Sequence, residues 1–157
     1  MEIERKFLVK ELPDLANIEP LRYERYYLRV EKGVEERIQK TNEHYTYEKK
    51  VAVDELTRST ELKHISEKEF EKLKAKSGKA ILRDSYSLSP NLSIKIYHGE
   101  YEGLVRAEVE FASNKEAGSY TPELWMGKEL TGTPLGKDSS LLELDKDSME
   151  RLLSQLS

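Results

Sequence analysis

The chain has 157 residues, enough for a single domain, 1–157, with a core of its own. Charged residues make up 36% of it and the formal net charge is −4, so it lacks the basic imbalance usual in nucleic-acid binders. It has no cysteine for disulfide or thiolate chemistry, and no apolar run near the roughly 20 residues that span a bilayer. The expectation is a cytoplasmic protein with neither nucleic-acid nor membrane partners; its charged start is not a signal peptide.

Taken in order, Met1 to Val9 (M-E-I-E-R-K-F-L-V) alternates: Glu2, Glu4 and Lys6 on one parity, Ile3, Phe7 and Val9 on the other. Side chains of a strand alternate between faces, so one face carries two carboxylates and an ammonium in a row. Lys10 to Pro20, with Pro13 and Pro20, fits a short helix or a structured loop. Leu21 to Val30 is a Tyr-rich strand on which Tyr23, Arg25, Tyr27 and Arg29 share a parity. Lys32-Gly33 is a hairpin turn, and Val34 to Lys40 returns with Arg37 and Gln39 on one face. His44 to Val53 follows, read with Tyr45, Tyr47, Lys49 and Val51 on one face, and then Leu56 to Ile65, carrying Arg58.

Ser66 to Lys76 changes to helical period. Ser66 and Glu69 form a capping-box pair, Ile65, Phe70 and Leu73 make the apolar stripe, and Gly78 is the expected stop. Strands resume at Lys79 to Leu88, with Arg83, and at Leu92 to Tyr97. Leu104 to Ala112 is a second charged strand, with Arg106, Glu108 and Glu110 opposite Val105, Ala107, Val109 and Phe111. Ser113 to Ser119 suits one or two helical turns, Trp125 is a packing anchor, and Asp145 or Asp147 caps a last helix bearing Met149, Leu152, Leu153 and Leu156. The three histidines, His44, His64 and His98, read as surface or turn residues. About eight strands joined mostly by turns suffice to close an antiparallel barrel, an α+β, mostly β fold with peripheral helices.

The charged parities pose the chemical question. Basic residues recur on strand after strand (Lys6, Arg37, Lys49, Arg58, Arg83, Arg106), and E-x-E recurs on two strands, as Glu2/Glu4 and Glu108/Glu110. Turned inward, so many charges are costly to bury unless a ligand offsets them. Arg and Lys match phosphate oxygens; carboxylates hold Mg²⁺ or Mn²⁺, which bridges phosphates. The combination suits a metal-bound polyanion such as a polyphosphate.

At these residues the chain resembles a known family. E-I-E-R-K-F-L-V (Glu2–Val9) is similar to the E-x-E-x-K start of the CYTH superfamily, the triphosphate tunnel metalloenzymes. Tyr27-Leu28, Arg37-Ile38-Gln39 and Lys49 resemble its next strands, His98 to Phe111 its G-x-x-x-G-L-x-x-A-E-x-E segment, and Leu124 to Thr131 its W-x-G-x-E-V-T segment. The resemblance implies an eight-stranded antiparallel tunnel and divalent-metal-dependent hydrolysis of tripolyphosphate or related triphosphates. Some relatives are adenylate cyclases or thiamine triphosphatases. Carried over by position, Glu2, Glu4, Glu108 and Glu110 would hold Mg²⁺ or Mn²⁺. Lys6, Arg37, Lys49, Arg58, Arg83 and, on the same charged face, Arg106 would hold phosphate. Tyr27 would stand near the attacking water, paired with Lys6 that lowers its pKa, and Glu129 would be a carboxylate at the tunnel rim. The partner is then a small-molecule triphosphate, with homodimerisation an open alternative.

The departures from the pattern are specific. Arg58-Ser59-Thr60-Glu61-Leu62 stands where many members have R-x-E-x-E, so two carboxylates are missing unless a bulge turns Glu61 inward. Gln39 replaces a frequent Arg, Lys95 a frequent Asp, and Leu135-Gly136 an Arg-Tyr pair. One metal site is expected from the two E-x-E pairs, with the second weakened. A binding module without turnover is the alternative those lost acids favour; an adenylate cyclase is another.

Overall fold

The first strand reverses the arrangement of an ordinary half-buried strand. β1 (Glu2–Val9) directs Glu2, Glu4 and Lys6 into a cavity, while Phe7 and Val9 on the other parity pack outward beneath covering segments. The structure, a computed structural model, describes residues 2–156; Met1, where the expected first strand begins, lies outside them.

Seven further strands follow: β2 (Leu21–Glu31), β3 (Val34–Thr41), β4 (His44–Ala52), β5 (Thr57–His64), β6 (Ala80–Ser89), β7 (Leu92–His98) and β8 (Val105–Glu110). They pair antiparallel in the order β5-β4-β3-β2-β6-β7-β8-β1, and β1 pairs with β5 to close the ring. This is the eight-stranded antiparallel tunnel that the strand count implied. The β2–β3 hairpin turns at Gly33, whose φ of +77° is a left-handed conformation that glycine adopts without steric cost.

The closing seam is short. β1 and β5 pair only at Glu2↔Arg58 and Ile3↔Thr57. Beyond Ile3 the same edge of β1 is taken over by β9 (Met126–Glu129), paired at Phe7 and Val9, and by Thr131, whose hydroxyl oxygen accepts from the Lys6 N–H at 2.8 Å. With four residues, one of them Gly127, β9 carries too little alternation to be read as a strand from sequence.

Helices cover the apolar outer face. In α1 (Glu67–Lys74) the Ser66 hydroxyl accepts from the Glu69 N–H at 3.0 Å, and Phe70 packs on Tyr26 and Tyr45. The helix ends at Lys74 with Ala75 as its C-cap, before Gly78. After α2 (Asn114–Ser119), Tyr120 packs on Phe7 and Phe111. A third cluster closes one end of the barrel: inward-parity Leu8, Tyr27, Ile81 and Tyr97 meet Leu135, Leu141 of α3 (Asp138–Leu141) and Met149 of α4 (Lys146–Leu156). Asp145 caps α4, accepting from the Ser148 N–H at 2.7 Å. Each fully buried Leu or Phe in these clusters stabilises the wall by roughly 2 kcal/mol. Residues 10–20 form a loop with a turn from the Leu15 carbonyl to the Ile18 N–H. Among the described residues, no helix is long and apolar enough to cross a membrane.

Candidate active site

The inward parities of all eight barrel strands converge on one cavity of about 250 Å³. Nine cationic side chains and seven carboxylates line it, so the lumen is positive within a chain whose net charge is −4. Glu35, Glu48, Glu108 and Asp138 are each ion-paired with an arginine, while Glu2, Glu4 and Glu110 cluster together.

Near the β1–β5 seam lies the carboxylate zone. Glu2, Glu4 and Glu110 each present an oxygen within 4.8 Å of the others. The β1–β8 register sets Glu4 directly opposite Glu110, and two-residue periodicity places Glu2 beside them. Burial, then repulsion from Glu4, Glu2 and Glu108, pushes the Glu110 carboxyl upward. Burial would also raise Glu2, but Lys50 (2.7 Å), the Thr60 hydroxyl (2.9 Å) and Arg37 outweigh it and hold that carboxyl down. Lys6 Nζ lies 3.4 Å from Glu4. Three oxygen donors that repel one another suit a hard divalent cation.

Deeper in the lumen the cations dominate. Arg106, 1% exposed, donates to Glu108 at 2.8 Å and to Asp138 at 3.0 Å. Arg25 reaches Asp138 at 2.8 Å, and Arg83 reaches the same carboxylate at 3.3 Å. Burial alone would raise the Asp138 carboxyl, yet Arg83, Arg106 and Arg25 hold it well below the usual range. On the opposite wall Arg37 bridges Glu48 at 2.8 Å and donates to the Tyr27 hydroxyl at 3.4 Å. Lys95 donates to Ser85 Oγ at 2.6 Å and stands over the Tyr23 ring; burial depresses its pKa to about 8. Among the described residues, Arg37 Nε and Arg83 Nε are buried donors with no hydrogen-bond partner.

Of the residues expected from sequence, Glu2, Glu4, Lys6, Tyr27, Arg37, Arg58, Arg83, Arg106, Glu108 and Glu110 all line this cavity. Four expectations need correction. Lys49 shares the parity of Tyr45 and Tyr47, which pack outside under α1, and the register through β4 is unbroken; Lys50 is the lysine that faces inward. Glu108 is drawn to Arg106 and Arg83 and lies outside the carboxylate triad. Glu129 is on the outer wall, gripped by Arg5 through two hydrogen bonds of 2.9 and 2.7 Å, because β9 pairs it with the outward Phe7. Burial raises the Tyr27 pKa rather than lowering it, and Arg37, not Lys6, is its cationic neighbour. Glu61 also remains outside, since the β4–β5 register runs without a bulge.

Six charged lining residues escaped the sequence reading: Arg25, Glu35, Glu48, Lys50, Lys137 and Asp138. Arg25 carried a signal, its shared parity with Tyr23 and Tyr27. So did Glu35, which shares the parity of Arg37 and bonds Lys137 at 3.1 Å. Asp138 carried none, because it enters from a connecting segment after β9 rather than from a strand.

A scan against protein-family models and a search of curated proteins each found no match. Solved structures do match. One, described as the inorganic triphosphatase NE1496, is 26% identical over 90% of this chain and 93% of its own, with a TM-score of 0.67. Another structure of NE1496, described as a hypothetical protein, is 25% identical over 92% and 99%, with a TM-score of 0.68. A structure described as a putative adenylyl cyclase HpAC1 from Hippeastrum shares the fold at 11% identity over 75% and 83%, with a TM-score of 0.53. The closed eight-stranded tunnel, charged within and apolar without, and the likeness to these structures agree with the resemblance of the sequence to the CYTH superfamily of triphosphate tunnel metalloenzymes.

Proposed function

We propose that the chain hydrolyses inorganic tripolyphosphate or a related triphosphate in this lumen, with Mg²⁺ or Mn²⁺ as cofactor. The observation that carries the reading is the pair of buried guanidinium donors, Arg37 Nε and Arg83 Nε, left without hydrogen-bond partners in a cation-rich lumen that also holds a carboxylate triad. Buried unpaired donors cost stability, and a polyanion supplies the acceptors. The similarity to the inorganic triphosphatase NE1496 supports the same reading.

Phosphoryl transfer asks mainly for positioning and charge neutralisation. Glu2, Glu4 and Glu110 would hold a divalent ion, which would supply charge neutralisation to the phosphates. Arg37, Arg58, Arg83 and Lys50 orient the phosphates from several strands at once, so the chain of anhydride bonds is held extended. Arg106, saturated by Glu108 and Asp138, fixes the inner end of the site. Burial lowers the Lys6 pKa while Glu4, 3.4 Å away, opposes that shift, and Lys6 joins the two zones. Tyr27, protonated at neutral pH, serves as a hydrogen-bond donor and orienting group rather than as a base.

One observation favours a second reading, a polyphosphate-binding module without turnover. β5 presents Thr60 and Leu62 to the lumen and keeps Glu61 outside, leaving one carboxylate cluster among the described residues. Phosphate release from tripolyphosphate with Mg²⁺ and with Mn²⁺ separates the two, comparing the unaltered protein with Glu2→Gln/Glu4→Gln. Turnover that the double variant abolishes supports the hydrolase. Thermal stabilisation by tripolyphosphate without any release supports the binder.

A further inference from the structure

Among the described residues, Asp138 is the one lumen carboxylate that comes from outside the strands. It is 4% exposed and enters the barrel end on the segment Pro134–Leu141, which bears Leu135 and Leu141 in the cluster that closes that end. The segment is held tightly. A Cβ on Gly136 would stand 2.1 Å from the Leu130 carbonyl oxygen, so a residue with a side chain cannot take that place without moving the backbone. At its tip the Asp138 carboxylate receives Arg25, Arg83, Arg106 and the Tyr97 hydroxyl. Three guanidinium groups and a phenol converging on two oxygens are what a terminal phosphate would also attract. Here a side chain already occupies that place, and behind it the packing is apolar.

We propose that Asp138 is a specificity-determining stop, an internal anion that fills the deepest phosphate position and sets the length of polyphosphate the lumen admits. This rests on the reading of the lumen as a polyphosphate site. A chain entering from the carboxylate zone runs along Arg37 and Lys95 and meets the Asp138 carboxylate where a further phosphate would otherwise bind. Like charges facing each other there exclude the longer anion, while the shorter one gains the free donors of Arg37 and Arg83.

The test compares tripolyphosphate with tetrapolyphosphate on the unaltered protein, Asp138→Ala and Asp138→Asn. Affinities are measured by calorimetry with metal chelated, alongside kcat/KM with Mg²⁺. The alanine variant opens space and frees the arginines; its preference for tetrapolyphosphate over tripolyphosphate is expected to rise at least tenfold, and its lowered Tm to be restored more by the longer anion. A ratio within threefold of the unaltered protein's overturns the stop. The asparagine variant keeps the shape and removes the charge. With the repulsion gone, its preference for tetrapolyphosphate over tripolyphosphate is expected to rise at least threefold, and an unchanged or lowered ratio overturns the proposal even if the alanine variant does not fold. An unaltered protein that binds neither anion and releases no phosphate overturns the lumen reading itself, and the stop with it.

Discussion

Lys95 Nζ donates to Ser85 Oγ at 2.6 Å, a buried ammonium resting on a neutral hydroxyl. Burial lowers its pKa from 10.5 to about 8; Glu108 opposes that shift, while Arg83, Arg25 and Arg106 reinforce it. The folded chain therefore holds the charge less readily than the unfolded one. The resulting loss of stability is complete below pH 8 and is relieved as pH rises from 8 toward 10.5. At about 1.4 kcal/mol per pKa unit it is on the order of 3 kcal/mol. Denaturant unfolding should show Lys95→Met more stable than the unaltered protein at pH 7, with the gap shrinking above pH 8. The same variant should bind tripolyphosphate more weakly, and in the unaltered protein that affinity should fall as pH passes 8.

The carboxylate triad makes the corresponding prediction for metal. Glu110 is raised by burial and by Glu4 and Glu2, so Glu110→Gln should stabilise the metal-free protein slightly, by a few tenths to about 1 kcal/mol. It should also abolish the rise in Tm produced by Mg²⁺ or Mn²⁺ and cut turnover at least tenfold. A full metal-induced shift in that variant would place the ion elsewhere.

The register of β4 can be tested with a pair of neighbours. Lys50 faces the lumen and bonds Glu2, whereas Lys49 lies on the outer face opposite Glu61. Lys50→Met should lower kcat/KM for tripolyphosphate at least tenfold, about 1.4 kcal/mol of transition-state stabilisation. Lys49→Met should stay within twofold, and equal effects would refute the register.

Arg5 and Glu129 form a two-pronged ion pair on the outer wall, and Arg5 also donates to the Ala117 carbonyl at 2.7 Å, tying β1, β9 and α2 together. The pair is partly exposed, so Glu129→Ala should cost only about 0.5–1 kcal/mol of stability and leave turnover within twofold. A loss of activity without a loss of Tm would return Glu129 to the site.

Tyr27 is buried and protonated, with Arg37 beside it at 3.4 Å. Tyr27→Phe should lower kcat less than tenfold and leave the rise of activity with pH in place. Loss of that rise would make the phenol the base.

The sequence by itself determined the wall. Two-residue periodicity in β1 and β8 set Glu2, Glu4, Lys6, Arg106, Glu108 and Glu110 on the charged face, because the alternation of a strand is a local property of the backbone. Local chemistry likewise placed the Gly33 turn and the Ser66 cap. Only the tertiary structure decided which parity of β4 faced inward, since Tyr45, Tyr47 and Lys49 on one side and Lys50 on the other are equally compatible with a strand until Phe70 covers the tyrosines. It also decided that Glu108 answers to Arg106 and Arg83 while Glu110 joins Glu2 and Glu4, a choice set by distances of a few ångströms within β8 and to the strands around it. Asp138 is the extreme case: its role comes from three arginines on three different strands, brought to one point only when the barrel closes and the Pro134–Leu141 segment seats in its end.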